Sequence, residues 1–534
     1  MHSAFRSVLS GLLVLVVLTG IGFRFYNLDK KVFWMDEAST AQWIAGYSLQ
    51  QIEAELSQRQ NWSPTELAKF QHLNPGNGID ATRYALASDD PKHPPLFYLL
   101  LRAWAGLAGD SVFALRLFPA LVSLLVLPAM WWLCRELFFE DPHRATIGKI
   151  ALALTALSPV HVLYAQEARE YSLWTAVMLA SSALLLRAMR CDSPKWWVVY
   201  ALSLAVGFYT HTLFLLLWLV HAIVIGGVWW HTKNQENRRN SLRPFFMATL
   251  GAALLFAPWS VQIILQRSGL SSNSAWLAQS SSFSYLLQTW VFLSGIAFFD
   301  PNQTQHWNID NNLLITAVRL LRGLFCVLIA GALFIVARRA THREALFILT
   351  LSLVPFLALA IPDVFTDGYR STIARFLIPC FLGFQLAIAW LLANALSNRA
   401  WRRPGMALLT VLLGAGFFSC LLSSQADAWW NKSASYHVPR VANLINSSPK
   451  PLLVLAPNPN LLALCRRLDP QIQLFLLKEK QADGKAIASL PPVPTGTTVL
   501  FYRPSPGLLA ALQKQGDVLT PTPAGNDLWQ LKKS

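Results

Sequence analysis

Charge is scarce in this chain of 534 residues: Asp, Glu, Lys and Arg together make up 13% of it, against roughly 25% in an ordinary globular protein. With 54% hydrophobic residues and a mean hydropathy of +0.39, that shortage excludes a disordered chain, a fibrous one and an ordinary soluble enzyme. Cysteine is sparse as well. Cys134, Cys191, Cys326, Cys380, Cys420 and Cys465 are dispersed, with no CxxC pair, so neither a disulfide framework nor a zinc site is indicated. No internal repeat and no low-complexity stretch is present, and the missing repeat weighs against common secondary transporters.

What the chain has in quantity is long apolar runs. Eleven approach the ~20 residues needed to cross a ~30 Å hydrocarbon core. They centre on 8–23, 112–133, 146–165, 172–189, 197–210, 212–230, 245–265, 313–337, 345–362, 376–397 and 405–424. The first reads as an uncleaved span, because bulky Phe23-Arg24-Phe25-Tyr26 follows it instead of a small-residue cleavage site. The 21 Trp and 31 Phe suit membrane interfaces and helix packing. The predicted fold class is therefore a polytopic α-helical membrane protein.

The net charge of +16 (44 basic minus 28 acidic residues) does not indicate nucleic acid, because its positions follow the membrane. Basic clusters at 135–149, 187–195, 233–243, 338–343 and 399–403 alternate with nearly bare loops, as the positive-inside rule requires of cytoplasmic loops. Segments 95–109 and 283–299 are apolar but short. Letting either cross alone would invert every later loop, so both read as interfacial or re-entrant helices. Three outer regions remain: 24–111, 266–312 and the tail. The expected division is a transmembrane domain over 1–424, including both outer loops, and a small extracytoplasmic α/β domain over 425–534. Buried strands in that tail are predicted at 451–457, 472–477 and 498–503. None is followed by a glycine-rich phosphate loop.

No Asp or Glu falls inside the apolar core of a deduced span, whereas ion-coupled transporters usually place one near the midplane. The acids cluster instead at the outer boundary. Trp34-Met35-Asp36-Glu37 sets two carboxylates near an interface, where partial desolvation raises a pKa and suits a general base; the plainer alternative is a helix cap. Lys92-His93-Pro94-Pro95 presents donors ahead of an amphipathic helix, for a phosphate or simply as a helix start. Gln166, Glu167, Arg169, Glu170 and Tyr171 form a polar cluster where the third span emerges; it either serves a site or satisfies helix ends. His211, between two spans, reads as a packed interface histidine. Arg370 and Arg375, with Arg267, Arg319 and Arg322, put cations on the outer side beside the Tyr369 hydroxyl, where a lipid or sugar phosphate is the natural partner.

The ordered set resembles the GT-C glycosyltransferases, in the family-39-like branch of protein O-mannosyltransferases and the lipid A aminoarabinose transferase. The matching segments are Trp-Met-Asp-Glu-Ala (34–38), His-Pro-Pro-Leu-Phe-Tyr (93–98), Phe-Ala-Leu-Arg-Leu-Phe-Pro-Ala (113–120), Leu-Ser-Pro-Val-His-Val-Leu-Tyr-Ala-Gln-Glu-Ala-Arg-Glu-Tyr (157–171), Tyr-Thr-His (209–211) and Ala-Arg-Phe-Leu-Ile-Pro (374–379). The chain departs from the family pattern in the polar insert at 48–92.

The resemblance implies inverting transfer of a sugar from a polyprenyl-phosphate donor to a lipid, glycan or protein acceptor, on the periplasmic face of a bacterial inner membrane. The family's catalytic carboxylate falls on Asp36, with Glu37 beside it. Donor-phosphate contacts fall on His93 and Arg375, with Arg267, Tyr369 and Arg370 as further matches, and Gln166, Glu167, Arg169 and Tyr171 as the supporting cluster. No cofactor is required. A divalent metal through Asp36 and Glu37 alone lacks further ligands. The competing readings are a flippase or transporter of polyprenyl-linked sugars, which has no need of Asp36, and a non-catalytic membrane scaffold.

Overall fold

A computed structural model of the chain describes residues 2–191, 193–231, 235–266, 281–301, 312–366, 368–478 and 496–532. The chain forms two compact units. The first comprises Met1–Leu28, Asp90–Phe97 and Leu115–Gln425; the second comprises Asp29–Asp89, Tyr98–Ala114 and Ala426–Ser534.

Among the described residues nine helices are long and apolar enough to cross a membrane: Ser7–Phe25, Val112–Leu137, Tyr171–Cys191, Phe214–His231, Leu242–Leu265, Thr316–Arg339, His342–Thr366, Ala374–Ser397 and Arg402–Ser435. Arg144–Ala156 and Pro159–Ala165, bent by 56°, make a tenth if counted as one span. The eleventh expected span, at 197–210, forms the helix Pro194–Thr210; its 17 residues reach only the lower limit for crossing. The two segments expected not to cross are helices of 13 residues each, Leu96–Ala108 and Phe283–Gly295.

The bend between Arg144–Ala156 and Pro159–Ala165 sets up the site. Pro159 has no N–H, and its ring collides with the carbonyl four residues back, so the helix breaks. The freed carbonyls need donors in an apolar setting, and Arg24, at the end of the first span, supplies them. Its guanidinium donates to Ala156 O at 2.5 Å and Thr155 O at 3.3 Å, a cation at a helix C-terminus, where the dipole favours it. After the second half-helix the chain runs through a non-helical turn at 166–170 whose residues are all buried.

The second unit is larger than the tail domain expected at 425–534, because it also takes up most of the first outer loop. Its six-stranded sheet runs β1-β3-β2-β4-β6-β5, with β1 Asn61–Trp62, β2 Pro451–Leu455, β3 Gln473–Leu476, β4 Thr498–Tyr502, β5 Val518–Thr522 and β6 Gly525–Lys532. β2 pairs in parallel with both β3 and β4. β1 comes from the first loop and pairs antiparallel with β3, Asn61 opposite Phe475 and Trp62 opposite Leu474.

Alternation along the strands gives the sheet two cores. Leu452, Val454, Phe475, Val499 and Phe501 pack with Leu508, Leu512 and Leu519. On the other face Leu453, Leu455, Leu474, Leu476, Leu500 and Tyr502 pack with Trp34, Ile52, Trp62, Leu67 and Phe70 from the loop. The insert at 48–92 is thus structured. Ser48 and Ser63 each cap a short helix through a reciprocal bond with Gln51 or Glu66. The Asp89 carboxylate accepts from Gln42 Nε2, Trp43 Nε1 and the Leu49 amide at 2.9–3.1 Å.

Candidate functional site

The predicted residues fall into two groups, one in each unit. In the first unit the chain reaches His93 through a turn whose amide closes on Asp90 O at 3.1 Å. Trp259 Nε1 holds that turn by donating to Pro91 O at 3.0 Å. His93 Nδ1 then lies 3.2 Å from Glu170 Oε1, and its Nε2 is 3.7 Å from Asp90 Oδ2. Arg169 Nε is 3.3 Å from Glu170 Oε2, and Arg169 Nη2 lies 3.3 Å from both His93 nitrogens. His211 Nε2 completes the ring 3.8 Å from Glu170 Oε1, with its imidazole stacked on Trp174, centroids 4.4 Å apart.

Glu170 is the centre of this cluster. Its side chain is 1% exposed and that of Arg169 2%, while His93 is 22% exposed. Burial pushes the Glu170 carboxyl up, but Arg169 and His93 pull harder the other way, so it is held well below the usual carboxylate range. Burial pushes His211 down to about 3, which makes it a neutral packing partner. His93 is therefore the member of the set that reaches toward solvent, oriented by an ionised carboxylate that favours a proton on Nδ1.

Of the supporting residues, Gln166 Nε2 donates to Phe23 O at 2.7 Å and Tyr26 O at 2.9 Å, fastening the end of the first span. Tyr171 packs edge-on against Tyr164, centroids 5.0 Å apart. Glu167 is fully buried. Arg116, from the segment 113–120, donates to Leu28 O at 2.7 Å and so secures the chain where it leaves the first span.

Arg375, in the turn Ala374–Leu377, is half-buried. Its positive charge acts on His211, which puts it in the neighbourhood of the same cluster. Tyr369 is half-buried, and burial, aided by Tyr285, pushes its hydroxyl pKa up. Arg370 is engaged elsewhere: its Nη1 is 3.3 Å from Asp363 Oδ1, while Asp363 Oδ2 accepts the Ser371 amide at 2.6 Å. Arg267 lies outside the described residues.

In the second unit Trp34 precedes the helix Met35–Ala45. Glu37, in its first turn, closes a capping box, its Oε2 accepting the Trp34 amide at 3.4 Å. The same oxygen accepts from Lys432 Nζ at 2.8 Å, with both side chains buried. Asp36, one residue earlier, is half-buried. Among the described residues no group of three or more His, Cys, Asp or Glu side chains is arranged to hold a metal ion. With Glu37 tied to a lysine, Asp36 and Glu37 do not compose a metal site.

Lys432 and Asp90 were not singled out by sequence. Lys432 follows Trp429-Trp430-Asn431, an aromatic stretch that reads as an interfacial belt. The signal for Asp90 was its place beside Lys92 and His93.

Residues 92–261 match the family model for dolichyl-phosphate-mannose-protein mannosyltransferase. That segment contains His93, Arg169, Glu170 and His211, and excludes Asp36 and Arg375. No curated protein sequence matches the chain. Among solved structures, ArnT from Cupriavidus metallidurans is similar over 98% of both chains, at 14% identity and TM-score 0.55 in the apo state. Bound to undecaprenyl phosphate it aligns over the same share, at 15% identity and TM-score 0.52. The oligosaccharyltransferase AglB from Archaeoglobus fulgidus, in complex with an inhibitory peptide and a dolichol-phosphate, matches over 99% of this chain and 75% of its own. There the identity is 11% and the TM-score 0.51. Helix content, span order and these likenesses agree: the chain is an integral membrane protein with the GT-C glycosyltransferase fold.

Proposed function

We propose that this protein is an inverting glycosyltransferase that moves a sugar from a polyprenyl-phosphate donor to an acceptor on the extracytoplasmic face of a bacterial inner membrane. The observation that carries the reading is the Glu170-centred cluster. A histidine is oriented by a buried carboxylate and backed by a buried guanidinium, inside the segment that matches the mannosyltransferase family. The basic loops at 135–149, 187–195, 233–243, 338–343 and 399–403 support the orientation.

The chemistry asks little of an acid, because the leaving group is already a stable phosphate. The acceptor oxygen or nitrogen attacks the anomeric carbon as the bond from that carbon to the phosphate oxygen breaks, and the configuration inverts. Polyprenyl phosphate leaves with the bonding pair, and the acceptor proton passes to Asp36 as general base. His93 and Arg375 hold the phosphate and stabilise its developing charge, with the Tyr369 hydroxyl as a further donor. Arg370, engaged with Asp363, serves the shape of the loop.

The test uses purified protein in lipid nanodiscs with synthetic undecaprenyl-phosphate pentoses and hexoses, following release of undecaprenyl phosphate by mass spectrometry. Envelope extract of a strain lacking the gene supplies the acceptor. Asp36→Asn should abolish transfer without loss of folded protein, and His93→Ala should cut kcat/KM at least tenfold. Near-normal turnover by Asp36→Asn would remove Asp36 as the base, and a wild-type protein that releases no undecaprenyl phosphate from any of these donors would return the flippase reading.

A further inference from the structure

The segment that carries Asp36 is gripped by the C-terminal part of the chain within the second unit, and the grip contains a buried charge pair. Lys432, in the short 3-10 helix Trp430–Ser435, meets Glu37 with side chains 1% and 0% exposed. Its ammonium also lies 5.6 Å from the centroid of the Trp34 ring. Three residues on, Ser435 Oγ accepts the Met35 amide at 3.0 Å and donates to Asn460 Oδ1 at 2.5 Å. Asn460 is itself fixed, its Nδ2 donating to Ala434 O and its amide to Asn458 Oδ1, both at 2.9 Å. Trp34, Met35 and Glu37 are each tied to residues 432–460, and Asp36 lies between them.

The location of this grip follows from the sheet. Asn458 and Asn460 come directly after β2, the strand flanked by parallel β3 on one side and parallel β4 on the other. The carboxyl end of such a strand, where successive connections leave in opposite directions, is where open α/β sheets gather functional groups. A buried ion pair there is weak evidence for stability, because a well-packed neutral pair does as well or better. Its distinctive contribution is direction. Successive residues in a helix point about 100° apart, so a lysine that holds Glu37 inward turns Asp36 away toward the half-exposed surface.

We propose that Lys432 is a positioning residue for glycosyl transfer: by clamping Glu37 it fixes the first turn of the helix Met35–Ala45 and sets how Asp36 is presented to the acceptor. This deepens the reading of Asp36 as general base and rests on it.

The experiment measures kcat, donor KM and thermal midpoint for full-length variants in nanodiscs, with the undecaprenyl-phosphate sugars as probe. Lys432→Met should lower kcat at least tenfold with donor KM within twofold. In the double variant Glu37→Gln/Lys432→Met, which leaves no buried charge unpaired, the thermal midpoint should recover while kcat stays low. A lysine needed only for folding would restore kcat together with the midpoint, and that result overturns the proposal. So does wild-type kcat in folded Lys432→Met when Asp36→Asn is inactive, an outcome that leaves the transferase reading standing. Turnover by Asp36→Asn, by contrast, removes Asp36 as the base and the clamp with it, while only a wild-type protein without transfer removes the transferase reading. If Lys432→Met does not accumulate, Ser435→Ala, which deletes the bond to the Met35 amide, takes its place: a fall in kcat at constant KM supports the clamp, and unchanged kcat overturns it.

Discussion

Replacing Glu170 with glutamine keeps the shape of the side chain and removes a full negative charge lying 3.2 Å from His93 and 3.3 Å from Arg169. Arg169 is 2% exposed, so its guanidinium cannot turn to water for compensation. Orphaning one partner of a buried pair costs about 3–5 kcal/mol, and the thermal midpoint of Glu170→Gln should fall by several degrees. His93 loses the carboxylate that orients it, and a 10- to 100-fold drop in kcat/KM corresponds to about 1.4–2.7 kcal/mol of transition-state stabilisation. Its neighbours hold Glu170 ionised far below neutrality, so the charge that the substitution removes is present throughout the neutral range. The double variant Arg169→Met/Glu170→Gln separates the two effects. Removing both charges should recover most of the stability and leave transfer impaired. Thermal unfolding in nanodiscs and steady-state donor kinetics make the comparison. A Glu170→Gln protein with unchanged midpoint and unchanged kcat/KM would refute the reasoning.

Burial pushes the Asp89 carboxyl from 3.8 up to about 6, although Leu49, Trp43, Ser88 and Gln42 donate to it. Asp89 therefore binds its proton more readily folded than unfolded, so its contribution is fully present below about pH 4, is lost as pH rises through about 6, and amounts to about 3 kcal/mol. Hydrogen exchange over Met35–Ala45, corrected for intrinsic rates, should show easier opening at about pH 7 than at pH 4; equal protection would contradict this. Arg375→Ala should raise donor KM, and unchanged KM and kcat would remove that residue from the phosphate site. Gly383→Ala places a Cβ 2.3 Å from Ser352 Oγ and 2.9 Å from the Ser352 amide nitrogen. Forcing the helices His342–Thr366 and Ile378–Ser397 apart should cost about 1–3 kcal/mol, read as a lower thermal midpoint; no change would mean the helices separate freely.

The spans were legible because apolar length and basic loops are local properties. The strands β2, β3 and β4 were legible for the same reason, as short apolar runs between turn residues. β1 was not: Asn61 and Trp62 carry no strand signal, and they become a strand only because β3 offers an edge more than 400 positions later in the chain. The hairpin of β5 and β6, with its half-exposed alternation, was equally quiet. The non-helical turn at 166–170 was not legible, because the apolar run 146–165 reads as one uninterrupted span and the bend at Pro159 leaves no mark on its hydropathy. In the second unit Glu37 lies in the first turn of its helix, but its buried lysine comes from 395 positions later in the chain, a separation that no local pattern reports.

The pairing of β1 with β3 has a consequence for how the molecule is made. Asn61 leaves the ribosome 414 residues before Phe475, and at roughly 5–20 residues per second it waits about 20–80 s for its neighbour. Throughout that interval nearly all the hydrophobic helices are being inserted, while the Asp36 segment lacks its cradle. The Asp36 segment thus has its full sheet behind it only once Phe475 has been made, and a copy terminated before that point, however well embedded in the bilayer, emerges without it.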